Sequence, residues 1–297
     1  EGIHRAAAES SREGTWRASI SVADAEGSQI SQNQQIERFL SLGYDVLCVN
    51  LVDRTNAAPI IDKAMEADIP IVFFNREPVP EDMEKWDRLC YVGSDARQSA
   101  ELEAQIILDL WEREPQALDR NGDGVIQYIM MEGERRHQDT VIRTEGTIQA
   151  LRDGGLELER LDSGIANWDR TQAQALMAGY LDQYGGQVEL VICNNDDMAL
   201  GVADAVEEAN LDFHNIVGID GTAAGATAVS QGKLLGTVAM QPEIHGRTVF
   251  RLAMELASGK TVSEMEELGP DRSVRVPMEI LSRSNRKEEM KYETLIH

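Results

Sequence analysis

Residues 119–127 read DRNGDGVIQ, which sets oxygen-bearing side chains at alternate positions: Asp119, Asn121, Asp123 and Gln127, with the Val125 carbonyl between the last two. Calcium takes six to eight oxygen ligands, and a 12-residue loop with glycine at its sixth position is one way to supply them. Gly124 holds that sixth position. The twelfth, where a carboxylate should close the shell, is Met130, and the loop leads into the apolar run VIQYIMM instead of an exiting helix. An EF-hand is therefore excluded. What remains is either a polar turn punctuated by Asn-Gly and Asp-Gly, or a calcium loop whose last ligand comes from elsewhere in the chain.

A second set of polar residues follows short apolar runs: Asn75 in FFNREP, His137, Asp139 and Arg143 in MMEGERRHQDTVIR, Trp168 in GIANWD, Asn195 in CNNDD and Asp220 in GIDG. Singly, an Asn or Asp after a strand is first a turn or helix-cap residue. A lone Trp is more often a packing anchor, and a lone His a surface or capping residue. Together they make a different offer. Amides and carboxylates exchange hydrogen bonds with hydroxyl groups, and an aromatic face covers the C–H groups of a sugar ring, so the set suits a small polyhydroxylated molecule. Asp139 and Arg143 lie four apart at a predicted helix start, so acceptor and charged donor share one face.

The elements that must position these groups follow from hydrophobic period. RASISVADA, DVLCVNLV, PIVFFNREP, LCYVGSD, VIQYIMMEG, LELERLDSG, VELVICNND, NIVGIDG and LLGTVAMQ read as strands. SQNQQIERFLSLG, NAAPIIDKAMEADI, RQSAELEAQIILDLWERE, TVIRTEGTIQALRDG, RTQAQALMAGYLDQYG, MALGVADAVEEAN and EIHGRTVFRLAMELASG read as helices. Mostly apolar strands alternating with helices imply parallel sheets covered on both faces, a doubly wound α/β architecture whose ligands lie at the carboxyl ends of strands. About eleven strands are too many for one tidy sheet, so two Rossmann-like lobes are expected. Crossings between them are expected at 93–95, near 238–242 and within 270–277.

Composition narrows the function. A net charge of -24 over 297 residues argues against a nucleic-acid partner, which needs a basic face. No apolar run approaches the roughly 20 residues of a membrane helix. Cys48, Cys90 and Cys193 are far apart in strand-like stretches and read as small buried hydrophobes, with no disulfide framework or metal site. GxSxG, HExxH, CxxC and GxxxxGK[ST] motifs are absent, and GIDGTAAG lacks dinucleotide spacing, so no enzyme is expected. The charged tail SRSNRKEEMKYETLIH is expected to fray.

Segments along nearly the whole chain, in order and at matching intervals, carry a resemblance. They are SQNQQIERFL, VNLVDRTNAAPIIDKA, IPIVFFNREP, YVGSD, DRNGDGVIQ, GERRHQDTVIRT, NWDRTQAQ, ELVICNNDDMALG, VGIDG and VRVP. The sequence resembles the periplasmic galactose/glucose-binding proteins, the sugar receptors of ABC importers and chemotaxis. That resemblance implies a type I periplasmic binding fold with a three-crossing hinge. Its N-terminal lobe would comprise residues 1–93 plus 241–271, and its C-terminal lobe 94–240 plus 272–297. Asn75, His137, Asp139, Arg143, Asn195 and Asp220 match positions that hydrogen-bond the pyranose, and Trp168 the ring that stacks on it. Glu189 matches the remote carboxylate that completes the calcium shell with Asp119, Asn121, Asp123, Val125 and Gln127.

Two departures accompany the resemblance. Met240 stands where the family has its last amide ligand, so Gln241, which follows, would have to take that role. The family's first strand and its aspartate-plus-aromatic loop are missing from the chain, which is therefore expected to be a fragment that binds sugar poorly alone. The resemblance further implies a structural Ca2+, a monomer, a periplasmic or extracellular location (lipid-anchored in one form), hinge closure on the sugar, and an ABC permease or a chemoreceptor as partner. A receptor for another pentose or hexose, the sugar-sensing domain of a signalling or transcriptional regulator, and a sugar-phosphate or nucleoside enzyme of Rossmann type are the alternative readings.

Overall fold

The structure is a computed structural model, and it describes residues 2–135 and 137–283. Among the described residues ten strands run in chain order: β1 (Leu47–Val49), β2 (Ile71–Phe74), β3 (Leu89–Gly93), β4 (Val125–Glu132), β5 (Glu157–Ile165), β6 (Leu190–Cys193), β7 (Ile216–Asp220), β8 (Gly236–Ala239), β9 (Ser273–Arg275) and β10 (Glu279–Ser282). They form two sheets, ordered β1-β2-β3-β9 and β10-β8-β7-β6-β4-β5. All neighbours are parallel except β10 on β8. The expected doubly wound α/β architecture is thus observed.

The chain divides into two compact units. Of the described residues, the first holds 2–94 together with Gln241–Pro277, the second Asp95–Met240 together with 278–283. The last passage falls later than the 271/272 boundary read from the sequence, because β9 pairs with β3 and so carries residues 273–275 into the first sheet. The tail from residue 284 lies outside the described residues. Among the described residues no helix is long and apolar enough to cross a membrane.

Each sheet is buried on both faces, which is why its central strands are apolar throughout. In the second unit, Ile129, Met131, Val191, Cys193 and Ile216 point into one core cluster. Their alternates Ile126, Tyr128, Met130, Leu190, Ile192 and Val217 point into another. Side chains of this size stabilise by about 1.5–3 kcal/mol each on full burial. Edge strand β5, ELERLDSGI, has mostly exposed or half-buried residues, so its polar composition follows from its position. Polar residues beyond several strands cap the next helix. Asp95 accepts from the amides of Arg97 and Gln98, Asp169 from Gln172, Asn195 from Met198 and Thr222 from Gly225.

Two expectations are corrected. RASISVADA forms no strand: residues 16–25 carry no ladder bond. The contacts of this segment include Tyr44 Oη donating to Ser21 Oγ at 2.6 Å and Gln35 Nε2 donating to the Asp24 carbonyl at 2.6 Å. A strand-competent pattern becomes a strand only where a neighbour offers a ladder, and among the described residues no strand pairs with this segment, β1 ending its sheet. Cys90 and Cys193 are buried as expected, but Cys48 is exposed. It is the middle residue of the three-residue edge strand β1, whose Leu47 and Val49 face the core and leave it on the other side.

Candidate ligand-binding site

In the second unit, the carboxyl ends of β4 to β7 bring five of the predicted residues into mutual contact. His137 caps the helix Gln138–Asp153, its Nδ1 accepting the Asp139 amide at 3.2 Å. In the neutral ring this leaves Nε2 carrying the proton. One turn on, Arg143 is buried. Its guanidinium donates to the Asn194 carbonyl at 2.8 Å and to Asp139 Oδ2 at 3.3 Å, and lies 3.9 Å from Asp220 Oδ1. Trp168 meets His137 edge-on, with ring centroids 5.1 Å apart, and the Arg143 guanidinium sits 6.0 Å from its ring centre. Asn195 follows β6, and its Oδ1 accepts the Met198 amide at 3.0 Å.

Backbone strain gathers at the same residues. Trp168 (φ 64°), Asp220 (φ 123°) and, in the first unit, Asn75 (φ 62°) are non-glycine residues at positive φ. Such conformations cost on the order of 1–3 kcal/mol each and persist where surrounding structure over-determines them, commonly at ligand sites. The tie on Asp220 is visible. Fully buried Asp196 accepts from the Thr222 amide at 2.7 Å, Thr222 Oγ1 at 2.9 Å and Thr237 Oγ1 at 2.5 Å, and Thr237 Oγ1 accepts the Gly221 amide at 3.3 Å. The tie therefore closes on the turn next to Asp220.

Burial pushes the Asp220 carboxyl up to about 7 despite Arg143, and Asp196, Asp197 and Asp139 push the same way. Glu103, fully buried on the helix Ala96–Arg113, is pushed up to about 8 by burial while accepting Thr147 Oγ1 at 2.8 Å. The sign is fixed by linkage: a carboxyl whose folded pKa is raised holds its proton in the native state over a range where the unfolded chain has lost it. Stability of the unliganded protein should therefore fall as pH rises from about 4 to about 8. Urea midpoints at half-unit pH steps would show this, and Asp220→Asn with Glu103→Gln should flatten the slope.

In the first unit, Asn75 directly follows β2, its carbonyl accepting Tyr91 Oη at 2.7 Å and its amide Nδ2 3.5 Å from Asn50 Oδ1. Gln241 occupies the N-cap position of the helix Pro242–Ala257. Met240, in the second unit, packs its side chain against that unit's apolar core. Sequence reading missed Asn50 and Asn194, although both stand at the carboxyl end of a strand. The doubled asparagine of CNNDD, of which Asn194 is the first, was the available signal for Asn194.

The loop at 119–127 lies at the opposite, amino end of β4. Asp119 accepts the amides of Gly122 (2.7 Å) and Gly124 (3.0 Å), Asn121 Oδ1 that of Asp123 (2.8 Å), and Asp123 Oδ1 that of Val125 (2.8 Å). Gln127 joins Asn121 and Asp123 through its amide. Glu189 reaches the loop because β6 runs parallel to β4 with Tyr128 beside Leu190. Buried to 1% exposure, it accepts the amides of Arg120 (2.6 Å), Asn121 (3.0 Å) and Gln127 (3.2 Å). Hydrogen bonding by the Val125 amide, ahead of other causes, holds the Asp123 carboxyl below its ordinary range. Among the described residues no group of three or more Asp, Glu, His or Cys is gathered closely enough to hold a metal. The donor chemistry of the loop nonetheless fits calcium, being three carboxylates, two amides and a carbonyl, all oxygen.

Two doubly wound units, joined by three passages of the chain, with polar groups at strand ends, define the type I fold of periplasmic binding proteins. The chain belongs to that family: the periplasmic binding protein domain model matches residues 1–261. It is 34% identical over 256 residues to the D-galactose/methyl-galactoside binding periplasmic protein of Haemophilus influenzae, covering 86% of this chain and 77% of that one. It is 31% identical over 270 residues to a putative rhizopine-binding protein of Rhizobium meliloti, covering 90% and 80%. Among solved structures, an ABC transporter solute binding protein from Bacillus halodurans with bound myo-inositol is 29% identical with a TM-score of 0.78, covering 97% of this chain and 91% of that chain. One from Actinobacillus succinogenes with bound D-allose is 21% identical with a TM-score of 0.79, covering 96% and 93%, a likeness of fold. These relatives are solute-binding proteins, not enzymes.

Proposed function

We propose that this protein binds one neutral monosaccharide of the galactose/glucose type outside the cytoplasm and delivers it to the permease of an ABC importer. The observation that carries the reading is the contact set His137–Trp168–Arg143–Asp139–Asp220. It joins a stacking ring to a donor held between two acceptors, the inventory a pyranose demands. The single guanidinium already faces two carboxylates, which favours an uncharged polyol over a sugar acid or phosphate. Asn195, just beyond β6 in the same unit, would add an amide to the ligand's hydroxyls. The Haemophilus relative's galactoside ligand supports the hexose reading.

The test is a calorimetric panel on the full-length protein with galactose, glucose, ribose, xylose and myo-inositol. Galactose or glucose should bind most tightly and none should be turned over. A preference for ribose or myo-inositol would replace the hexose reading, and turnover would overturn the receptor reading altogether.

The loop at 119–127 is the second part of the proposal: Asp119, Asn121, Asp123, Gln127, the Val125 carbonyl and Glu189 hold a structural calcium ion. When bound, the ion would cross-link the loop to β6. Chemotactic signalling through a chemoreceptor is a finer reading of the same liganded protein, and loss of sugar taxis with transport intact in a surface variant would support it.

A further inference from the structure

We propose that Asn194 is the positioning residue that sets the stacking ring and the charged cluster of the second unit in register; this rests on the monosaccharide reading above. Asn194 is wholly buried, and its side-chain amide lies 3.9 Å from Met130 Sδ in the core while its two oxygens turn toward the site. Its Oδ1 accepts two donors from different elements: the Gly133 amide just beyond β4 at 3.1 Å, and Thr144 Oγ1 on the helix Gln138–Asp153 at 3.2 Å. Its carbonyl accepts Arg143, the residue before Thr144, at 2.8 Å. Its own amide extends the β4–β6 ladder by donating to the Met131 carbonyl at 3.0 Å. The next residue in the chain is Asn195.

Gly133 gives the second half of the argument. A Cβ added there would lie 2.2 Å from the Trp168 ring, so the indole rests directly on the Gly133 backbone. Asn194 Oδ1 thus fixes the floor under the ring and, through the helix that carries Thr144, the post that carries Arg143. The distance between an aromatic face and a guanidinium decides whether both can reach the same sugar. One buried residue touches both ends of that distance, Oδ1 at Gly133 and Thr144 and the carbonyl at Arg143 itself. Buried side-chain amides with satisfied partners specify a unique arrangement, and an unsatisfied one leaves neighbouring donors without acceptors. An alanine at 194 would strand the Gly133 amide and Thr144 hydroxyl while the core packing around β6 stays apolar and intact.

The experiment uses the full-length protein and two readouts. The Trp168 contribution to the near-ultraviolet circular dichroism is taken as the difference between wild type and Trp168→Phe. Galactose affinity is read by calorimetry. Asn194→Ala should lose most of the Trp168 band and bind galactose at least about tenfold more weakly, the scale of one lost buried acceptor. Asn194→Asp, which keeps oxygen acceptors for both donors, should restore affinity to within about threefold of wild type. Should the alanine variant not fold, Thr144→Val removes one of the two donors alone and should shift the band and weaken binding by a smaller factor.

A band and affinity unchanged in Asn194→Ala, or in Thr144→Val, would overturn the proposal, as would alanine and aspartate variants that are equally impaired. If the wild type binds none of the sugars, the band still decides. Its loss in Asn194→Ala would uphold the positioning role while the monosaccharide reading fails, and its persistence would sink the positioning role.

Discussion

Arg143→Met should lower monosaccharide affinity by about 100-fold or more and destabilise the second unit by about 3–5 kcal/mol, the scale on which removing one partner of a buried ion pair is felt. The guanidinium is 6% exposed and stands between Asp139 at 3.3 Å and Asp220 at 3.9 Å. Methionine retains the apolar stem and removes every donor. The two carboxylates then lose their shared counter-ion, and Asp220, already raised to about 7 by burial, loses the one cause that lowers it. Its pKa should climb further, so the destabilisation should be larger at pH 9, where ionisation is forced, than at pH 6. Arg143→Met with Asp220→Asn should recover much of the stability, because the uncompensated charge is gone, but little of the affinity, because the donor is still absent. Thermal melts at the two pH values and calorimetry on the single and double variants separate these effects. A single variant that binds with wild-type affinity would remove Arg143 from the site.

The architecture and the contact set were legible for the same reason: in a parallel sheet the carboxyl ends of strands are where helices begin. Asp139, Arg143, Asn195 and Asp220 could therefore be placed near strand ends from apolar runs alone. What those runs could not carry is tertiary choice. RASISVADA has strand composition, yet among the described residues no strand pairs with it, and β1 ends its sheet. Cys48 looks like Cys90 in sequence, but one lies on an edge strand and the other is covered on both sides. Ser273–Arg275 follow Pro270 as a polar stretch, and only the ladder on β3 assigns them to the first unit. The positive φ at Asn75, Trp168 and Asp220 was hidden for a different reason, since no glycine marks those positions. Asn194 was hidden by its neighbour, because the second asparagine of the pair explained the local pattern and the first then looked redundant.

Glu189→Gln should abolish most of the calcium-dependent stabilisation while costing the metal-free protein on the order of 1–3 kcal/mol, the desolvation penalty of buried donors left badly matched. The two effects have separate origins. Without metal, both Glu189 oxygens already work: Oε1 accepts the amides of Arg120 and Asn121, and Oε2 accepts that of Gln127. A glutamine keeps one acceptor and turns an NH2 group toward an amide donor, so the loop loosens in EDTA as well. With calcium, a native-state ligand present at 100 times its dissociation constant stabilises by about 2.7 kcal/mol. Removing the one carboxylate that comes from outside the loop takes away the charge-bearing oxygens that Met130 cannot supply at the twelfth position. Wild type and variant should therefore differ modestly in EDTA and much more in millimolar calcium. Asp119→Asn should show the same calcium deficit through the loop's first position. Thermal melts in EDTA, calcium and magnesium read this directly, and a wild-type EDTA shift that persists unchanged in Glu189→Gln would sink the assignment of Glu189, leaving DRNGDGVIQ a hydrogen-bonded turn that Glu189 ties to β6 through amides alone.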